Sequence, residues 1–600
     1  MKILFLNLPY KFAISRSSRW PEKTKSGTMY YPYWLCYAAG VCMDRGYDVE
    51  LVDCIVKKMS TEDVVELVQK SAPDYIMGEI TTSTCFHDYE TLAAIKKAYP
   101  QGKIIIGGTH ATALSERVLE ECPDIDVIVR QEYDFTLDEV MKAGADLSDV
   151  LGITWRCDGQ IVKNPDRPWT EDLDELPFVS KIYEKFLDVN DYCYAFARKP
   201  MIQIFSARGC PFRCNFCSYP ETMSGRCFRK RSVKNFVDEL EYIAVHMPYI
   251  QEIFIEDDTF TVDKKRVVEI CEEMKRRGLK LVWSCNTRAD LPYEVMAKMK
   301  EAGCRLLVVG YESGNQKVLD ETRKGIKLED SLAFAQNTKK LGIKVFGCFM
   351  IGLKGDDLST IEDTFRFAKK VYANEVFFQQ AVPFPGTAFY QWVKDEGYLK
   401  TEDYSKWLNQ DGYLDCLVNY PYANAKEIEK LRDHLMSRYY VPCQPKLGGI
   451  QKSNESRIYL YRFPNQKNRK VGGGKMDAFF LRIYHKLPRP FQYWISRIKY
   501  KPKLGKGVTL YGWSTFSQNV SIGDYSYMKQ NDFVSNVSIG KFCCIADGLV
   551  VGLNEHPLHE FSSYRMNGIS SPLRKRILTE GGIYRHTPLL EMMCGLGGVF

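Results

Sequence analysis

Short apolar runs separated by amphipathic stretches occur twice along this chain. This doubled alternation constrains the fold more than any other feature. In the first 140 residues the runs are "KILFLNLP", "DVELVDC", "YIMGEIT", "KIIIGG" and "DVIVRQE", with "TEDVVELVQKSA" and "HDYETLAAIKKAY" among the stretches between them. Continuous apolar runs of this length suit strands covered on both faces, and the intervening stretches suit crossover helices. The pattern predicts an α/β fold with a parallel, doubly wound, Rossmann-like sheet. Such sheets bind ligands beyond the carboxyl ends of their strands. Those ends here are "TTST" at 81–84 and "GGTHAT" at 107–112. Neither is a G-x-G-x-x-G fingerprint, so a dinucleotide is not favoured.

The second block has runs at 201–207, 251–257, 279–286, 304–312, 344–352 and 375–382. Helical patterns lie between them, with Gly278 and Gly342 placed to end helices. Six strand–helix units fall short of the eight that close a barrel. A partial, open (β/α)6 barrel is expected. The boundaries read as 1–140 for the first domain, 141–194 for a connector containing "KNPDRPWTEDLDELPF", 195–410 for the barrel and 411–475 for a helical extension and linker.

Composition removes several classes. Net charge is +7 over 600 residues, with Lys and Arg dispersed, so nucleic acid is not an expected partner. No run of about 18 uncharged apolar residues predicts a membrane span. "MKILFLNLPY" has too short an apolar stretch for a signal peptide and reads as a first strand. Twenty cysteines without a secretion signal point to a reducing compartment, hence the cytoplasm, and to free thiols or metal ligands.

Three of those cysteines carry the chemistry. "SARGCPFRCNFCSYP" sets Cys210, Cys214 and Cys217 at C-x3-C-x2-C spacing just after the first barrel strand. A closed structural zinc site wants four ligands. Three thiolates can instead hold three irons of a [4Fe–4S] cluster and leave the fourth iron open. The remaining cysteines form no second ligand set, so no auxiliary cluster is expected.

In motif and position this loop resembles the radical S-adenosylmethionine (SAM) superfamily, in which the cluster binds here and SAM chelates the open iron. The resemblance implies roles for further residues. Phe216, the aromatic before the third cysteine, would lie against adenine. "EDDTF" at 256–260 ends the second strand, so Glu256 and Asp257 would meet the SAM amino group. Arg288 in "NTRADL" could pair with the SAM carboxylate, and Glu312 in "GYESGN" could accept from the ribose hydroxyls. Loop caps or surface charges are the competing reading of Asp257, Arg288 and Glu312.

Together residues 1–440 resemble the cobalamin-binding members of that superfamily. "GGTHATALSERVLEECPDIDVIVRQE" is very like their fourth and fifth strands. Thr81, Thr82, Ser83, Gly107, Gly108 and His110 would then line the cobalamin, with His110 on its tail. Where many cobalamin domains have D-x-H-x-x-G, this chain has "DCIVKK", with Asp53 present and Ile55 in the histidine position. No protein imidazole is expected on cobalt.

The resemblance implies an enzyme that cleaves SAM reductively and methylates an unactivated carbon of a small-molecule substrate. The electron would come from a one-electron reductant such as flavodoxin or ferredoxin. A non-methylating cyclase or rearrangement enzyme is the alternative. A cobalamin-holding sensor is the reading of another class, opposed by the complete cysteine set.

From Met476 the chain changes character. Aliphatics recur at Ile522, Met528, Val534, Ile539, Ile545 and Val551, a six-residue rhythm with one five-residue step. "VSIGDYSYM" and "VSIGKFCCIADGLVVGLNEHPLHEFSSY" resemble hexapeptide-repeat acetyltransferases of the left-handed β-helix type. That resemblance implies His556 as general base. A frame slip near Leu590 would convert "EMMCGLGG" into a further hexapeptide turn, making 591–600 out-of-frame sequence. The incomplete solenoid would lack its later coils, which argues against acyl transfer.

Overall fold

Residues 1–440, apart from Lys25, and the backbone of nine short strands between 503 and 551 are described by a computed structural model. The chain divides into two units, one spanning Met1–Tyr439 and the other starting at Tyr440.

The first sheet orders its strands β2-β1-β3-β4-β5-β6-β7. These are β1 (Lys2–Asn7), β2 (Asp48–Asp53), β3 (Tyr75–Glu79), β4 (Lys103–Gly107), β5 (Val127–Val129), β6 (Ile153–Cys157) and β7 (Gln160–Lys163). The first five pair in parallel, as the apolar runs predict. Every residue of β3 is buried, because helices cover both faces of such a sheet. The crossover helix Thr61–Ser71 starts at a capping box between Ser60 and Asp63.

Strands β6 and β7 differ from the expectation of a plain connector over 141–194. They form an antiparallel hairpin that extends the sheet from β5. Its turn is Asp158-Gly159, both at positive φ (49° and 77°), the conformation that Asp-Gly supplies in two-residue hairpins. Buried Arg130 stitches it down, donating to Thr154 Oγ1 at 2.8 Å and Asn164 O at 2.7 Å.

The second sheet has six parallel strands in the order β15-β14-β13-β12-β11-β8. They are β8 (Met201–Ile204), β11 (Glu252–Ile255), β12 (Trp283–Thr287), β13 (Cys304–Glu312), β14 (Lys344–Ile351) and β15 (Glu375–Gln380). No strand pair joins β15 back to β8, so this barrel is open. A small ribbon of β9 (Ala207–Arg208) and β10 (Arg229–Lys230) brackets the loop after β8. Side-chain caps start its helices: Asp263 before Lys264–Arg276, Asn315 before Gln316–Glu321 and Asp357 before Leu358–Val371. Gly342 ends Leu328–Leu341 in the left-handed conformation, as its position in the sequence predicts.

One helix explains why sheet and barrel form a single unit. Tyr33–Asp44 is apolar on nearly all sides, and ten consecutive residues, Tyr33 to Cys42, are buried. A helix apolar all round must be covered all round. Its neighbours include the first sheet and helix Val179–Phe186, while Tyr37 Oη accepts from Phe205 N, just past β8, at 3.1 Å. A Cβ on Gly40 would stand 2.5 Å from Pro177 Cγ, so this close approach requires glycine.

Beyond residue 503 each short strand pairs in parallel with the strand three places on. Leu504, Ile522 and Ile539 align, as do Leu510, Met528 and Ile545. Phe516, Phe533 and Val551 form the third column. The five-residue step therefore falls between Met528 and Phe533, not after Val534. His556, the segment 445–475 and residues 591–600 lie outside the described residues. Among the described residues no helix is long and apolar enough to cross a membrane.

Candidate functional site

The cysteine loop leaves β9 through Gly209, whose φ is 89° and whose Cβ would fall 2.0 Å from Cys227 O. No other residue fits there. The loop is pinned on several sides. Cys210 N donates to Gly225 O (3.0 Å) and Asn215 N to Thr322 O (3.1 Å), while Asn215 O accepts from Phe389 N (2.9 Å). Burial pushes the Cys217 thiol up to about 12, opposed by the nearby Arg19 guanidinium. Burial also raises Cys210, and each of these two thiols lies within the field of Cys214. Such thiols stay protonated until a cation displaces the proton, and metal ligation does so.

Among the described residues no three His, Cys, Asp or Glu side chains converge on a single point, as one metal ion would need. Three thiols on one short loop that would each hold a different iron do not have to converge. The donor set therefore fits a cluster with one unligated iron.

Strand ends surround this loop, and the structure distinguishes the residues that the sequence groups together. Asp257 is consumed by the fold. Its carboxylate accepts from Ser206 N (2.6 Å), Ser206 Oγ (2.5 Å) and Ala207 N (3.0 Å), stapling the end of β8 to the end of β11. Burial pushes it up to about 6. Glu256 accepts from Gln203 Nε2 and from Arg19 Nη1, each at 2.9 Å, and burial raises it to about 6 with Arg19 opposing. Asp258 accepts from Arg19 Nη2 at 2.8 Å and Ser224 Oγ at 2.6 Å.

Arg288 follows β12 and is buried. Its Nη2 donates to Gly325 O at 2.9 Å, and its guanidinium stacks 3.6 Å from the Phe212 ring centre within the cysteine loop. It thus braces two loops of this rim. Glu312 closes β13 at φ 61° and accepts from Lys324 Nζ at 2.8 Å. A Cβ on Gly310 would lie 2.3 Å from Glu312 Oε1 and 3.0 Å from Lys324 Nζ, so that glycine makes room for the pair. Burial disfavours the Lys324 charge, but Glu312, with help from Cys214, outweighs it and raises the amine. Phe216 packs half-buried against the core. Arg19 and Lys324 carry no local signal in the sequence, and "EDDTF" does not itself single out Asp258. Only the folded chain brings them to the rim.

The ends of β3 and β4 form a second rim. Thr81, Thr82, Ser83 and His110 are all buried. His110 Nδ1 bonds Thr82 Oγ1 at 3.1 Å, and its Nε2 is buried without a partner. Burial, then Arg117, holds the ring at about 3, so it is neutral. Thr81 Oγ1 reaches Thr84 Oγ1 at 3.2 Å, and Ser83 Oγ donates to Pro21 O at 2.6 Å. The glycines have reasons internal to the fold. A Cβ on Gly107 would meet Tyr133 at 2.9 Å, and one on Gly108 would meet Ile80 O at 2.6 Å. Asp53 accepts from Asn7 Nδ2, Ile55 N and Tyr192 Oη at 2.9–3.0 Å, and Ile55 is in the core. The neutral hydroxyls and the orphaned Nε2 suit a large ligand bearing neutral amides, as cobalamin does.

A narrow crevice, with enclosed space for about one water molecule, lies between the two rims. Its walls include Ser18 and Arg19 from the segment after β1, Thr82 and Thr109 from the first sheet, and Ser218 and Tyr219 just past Cys217.

Comparison with known proteins assigns the two parts of this unit to two families. Residues 204–368 match the Radical SAM superfamily and residues 23–141 match the B12 binding domain. The chain is 31% identical over 453 residues to the uncharacterized methyltransferase PH0819 of Pyrococcus horikoshii, covering 74% of this chain and 94% of that protein. It is 28% identical over 451 residues to the anaerobic magnesium-protoporphyrin IX monomethyl ester cyclase of Rubrivivax gelatinosus, covering 73% and 77%. The fold is like that of the radical S-adenosylmethionine methyltransferase TsrM of Kitasatospora setae with cobalamin and a [4Fe-4S] cluster bound. The TM-score is 0.54 at 16% identity, over 67% of this chain and 76% of that one.

Proposed function

The chain belongs to the radical SAM superfamily and carries a B12-binding domain, and on that premise we propose that it methylates an unactivated carbon of a small-molecule substrate. The carrying observation is the crevice with Ser218 of the cysteine loop on one wall and Thr82 and Thr109 of the first sheet on another. A substrate lodged against this crevice would be reachable from both cofactors. When bound, the cluster supplies the electron that splits SAM and cobalamin supplies the methyl group.

The chain's own residues bind, orient and exclude water. Cys210, Cys214 and Cys217 would hold three irons. Glu256 and Asp258 would face the SAM ammonium, with Asp257 fixing the strand ends behind them. Arg288 and Lys324 would supply positive charge to the carboxylate side, Glu312 would take the ribose hydroxyls and Phe216 the adenine. Thr82 and His110 would hydrogen-bond the cobalamin tail, with Thr81 and Ser83 beside them and Gly107 and Gly108 shaping the turn. With Ile55 in the core, no imidazole is offered to cobalt from that loop. The electron donor would be a flavodoxin or ferredoxin. The free thiols among the described cysteines suit the cytoplasm.

The cyclase relative supports a second reading, in which SAM is cleaved and no methyl is transferred. SAM carrying a deuterated methyl group separates the two. Methylation yields product three deuteriums heavier, with S-adenosylhomocysteine forming alongside deoxyadenosine. Deoxyadenosine with an unlabelled product would overturn it.

For the domains we keep 1–140, 195–410 and 411–475, with 141–194 read as a linker that carries the hairpin. The aligned columns beyond 503 support three coils of a left-handed β-helix within 476–590, with His556 following the third in sequence. Nucleotide sequence across Leu590 tests the frame slip, and an intact frame there would refute it.

A further inference from the structure

The segment after β1 behaves as a strap between the two rims. Ser83 Oγ holds it from the first sheet through Pro21 O (2.6 Å), and Tyr219 Oη holds it from the barrel through Ser17 O (2.5 Å). Its two arginines differ. Arg16 is an anchor: its side chain is 1% exposed, and it donates to Asp88, Asn7 and Leu8 O. Arg19 is 24% exposed, lines the crevice and crosses to the barrel, where it meets Glu256 at 2.9 Å and Asp258 at 2.8 Å. Those carboxylates are only 2% and 8% exposed. Two buried anions side by side need a cation.

We infer that Arg19 is a stand-in for the SAM ammonium, occupying the Glu256–Asp258 pair until SAM arrives and then turning away from it along the crevice it lines. The inference rests on the reading of that pair as the ammonium subsite. Each carboxylate has one oxygen satisfied by a neutral donor, Gln203 or Ser224, and offers the other to Arg19. Those two remaining oxygens are what an ammonium would take. The exchange conserves charge, so the pair is never left bare. Arg19 can leave because, among the described residues, nothing else holds its guanidinium except the face of Tyr219 at 4.8 Å. Next to it, Trp20 Nε1 is buried with no partner, so this part of the strap has a donor to spare for another arrangement. Because Arg19 shares the walls of that narrow crevice with Thr82 and Thr109, its displacement would press on the cobalamin rim, so SAM would alter cobalamin affinity, and by linkage cobalamin would alter SAM affinity.

Equilibrium dialysis of SAM against the full-length, cluster-reconstituted protein tests this, with a SAM analogue lacking the amino group as control. Arg19→Ala should bind SAM about 10-fold more tightly, melt at a lower temperature without SAM, and show no gain for the analogue. Arg19→Lys should keep near-normal melting and gain less; it carries the test if the alanine variant does not fold. Unchanged or weaker SAM binding in the folded variants would overturn the inference. Glu256→Gln and Asp258→Asn separate the two layers. If both leave SAM affinity intact, the ammonium subsite itself is misplaced. If they weaken it while neither Arg19 variant tightens it, the subsite stands and the stand-in role falls.

Discussion

The barrel rim and the rim of the first sheet both lie at carboxyl ends of parallel strands, yet they satisfy their polar groups in opposite ways. Around the cysteine loop the groups are charged and paired: Arg19 with Glu256 and Asp258, and Lys324 with Glu312. Around β3 and β4 they are neutral hydroxyls and a neutral histidine with one orphaned nitrogen. Charges in a buried site favour a zwitterion that can exchange with them, whereas orphaned neutral groups favour a ligand made of amides. On the proposed reading, the same topology prepares one rim for SAM and the other for cobalamin.

The most severe test of that contrast is Cys214→Ala. Reconstituted wild-type protein is expected to carry about four irons and four sulfides per chain, and the variant none, by iron and sulfide analysis. Stoichiometric zinc without iron in the wild type would remove the charged rim's assignment altogether.

Next come Glu312→Ala and Arg288→Ala, which should weaken SAM binding by roughly 10- to 150-fold, equivalent to about 1.5–3 kcal/mol for a lost charge-assisted contact. The structure sharpens this pair. Arg288 also braces Phe212 and Gly325, so its variant should melt earlier than that of Glu312. An Arg288 variant that melts early with unchanged SAM affinity would make it purely structural.

Asp257 should behave oppositely. Asp257→Asn cannot accept from Ser206 N, Ser206 Oγ and Ala207 N with a carboxylate, and about 1–3 kcal/mol of stability should be lost. Thermal unfolding would read this, with SAM affinity in the surviving folded protein near normal.

On the neutral rim, His110→Ala should weaken cobalamin several-fold by spectroscopic titration, and paramagnetic resonance of the Co(II) form should show no nitrogen splitting before or after the change. A histidine splitting that His110→Ala abolishes would convert that residue into a cobalt ligand.

The smallest effect is on pH. Glu256 is raised to about 6 by burial. Above that value it is charged and can hold a cation; as pH falls through it, the folded state takes up a proton and the attraction fades. SAM affinity should drop by up to about 10-fold between pH 7 and 5, and Glu256→Gln should flatten the profile. For stability the sign reverses. A raised carboxylate binds its proton more tightly when folded, so this group stabilises the protein as pH falls through about 6 towards its unfolded value.

Periodicity and spacing are local properties, and what they encode was legible in the chain. The parallel strands, the open barrel, the Gly342 helix end and the three cysteines on one loop follow from residue order alone, because strand and helix periods and the spacing within one short loop need no distant partner. Even the hairpin that replaced a plain connector had its Asp158-Gly159 signal in place. Asp257 shows where that reading stops. "EDDTF" presents three acids with equal claims, and only the arrival of Ser206 and Ala207 from another strand consumes one of them. Arg19 shows the same from the other side: it lies 237 residues from Glu256, on a loop without periodicity, and becomes part of the barrel rim only when Tyr33–Asp44 is buried between the sheet and the barrel. Charge pairing depends on distance in space, which residue order does not contain. So the sequence by itself determined the elements and set three cysteines on one loop, and tertiary packing decided which of the charged residues are consumed by the fold and which remain at the rim.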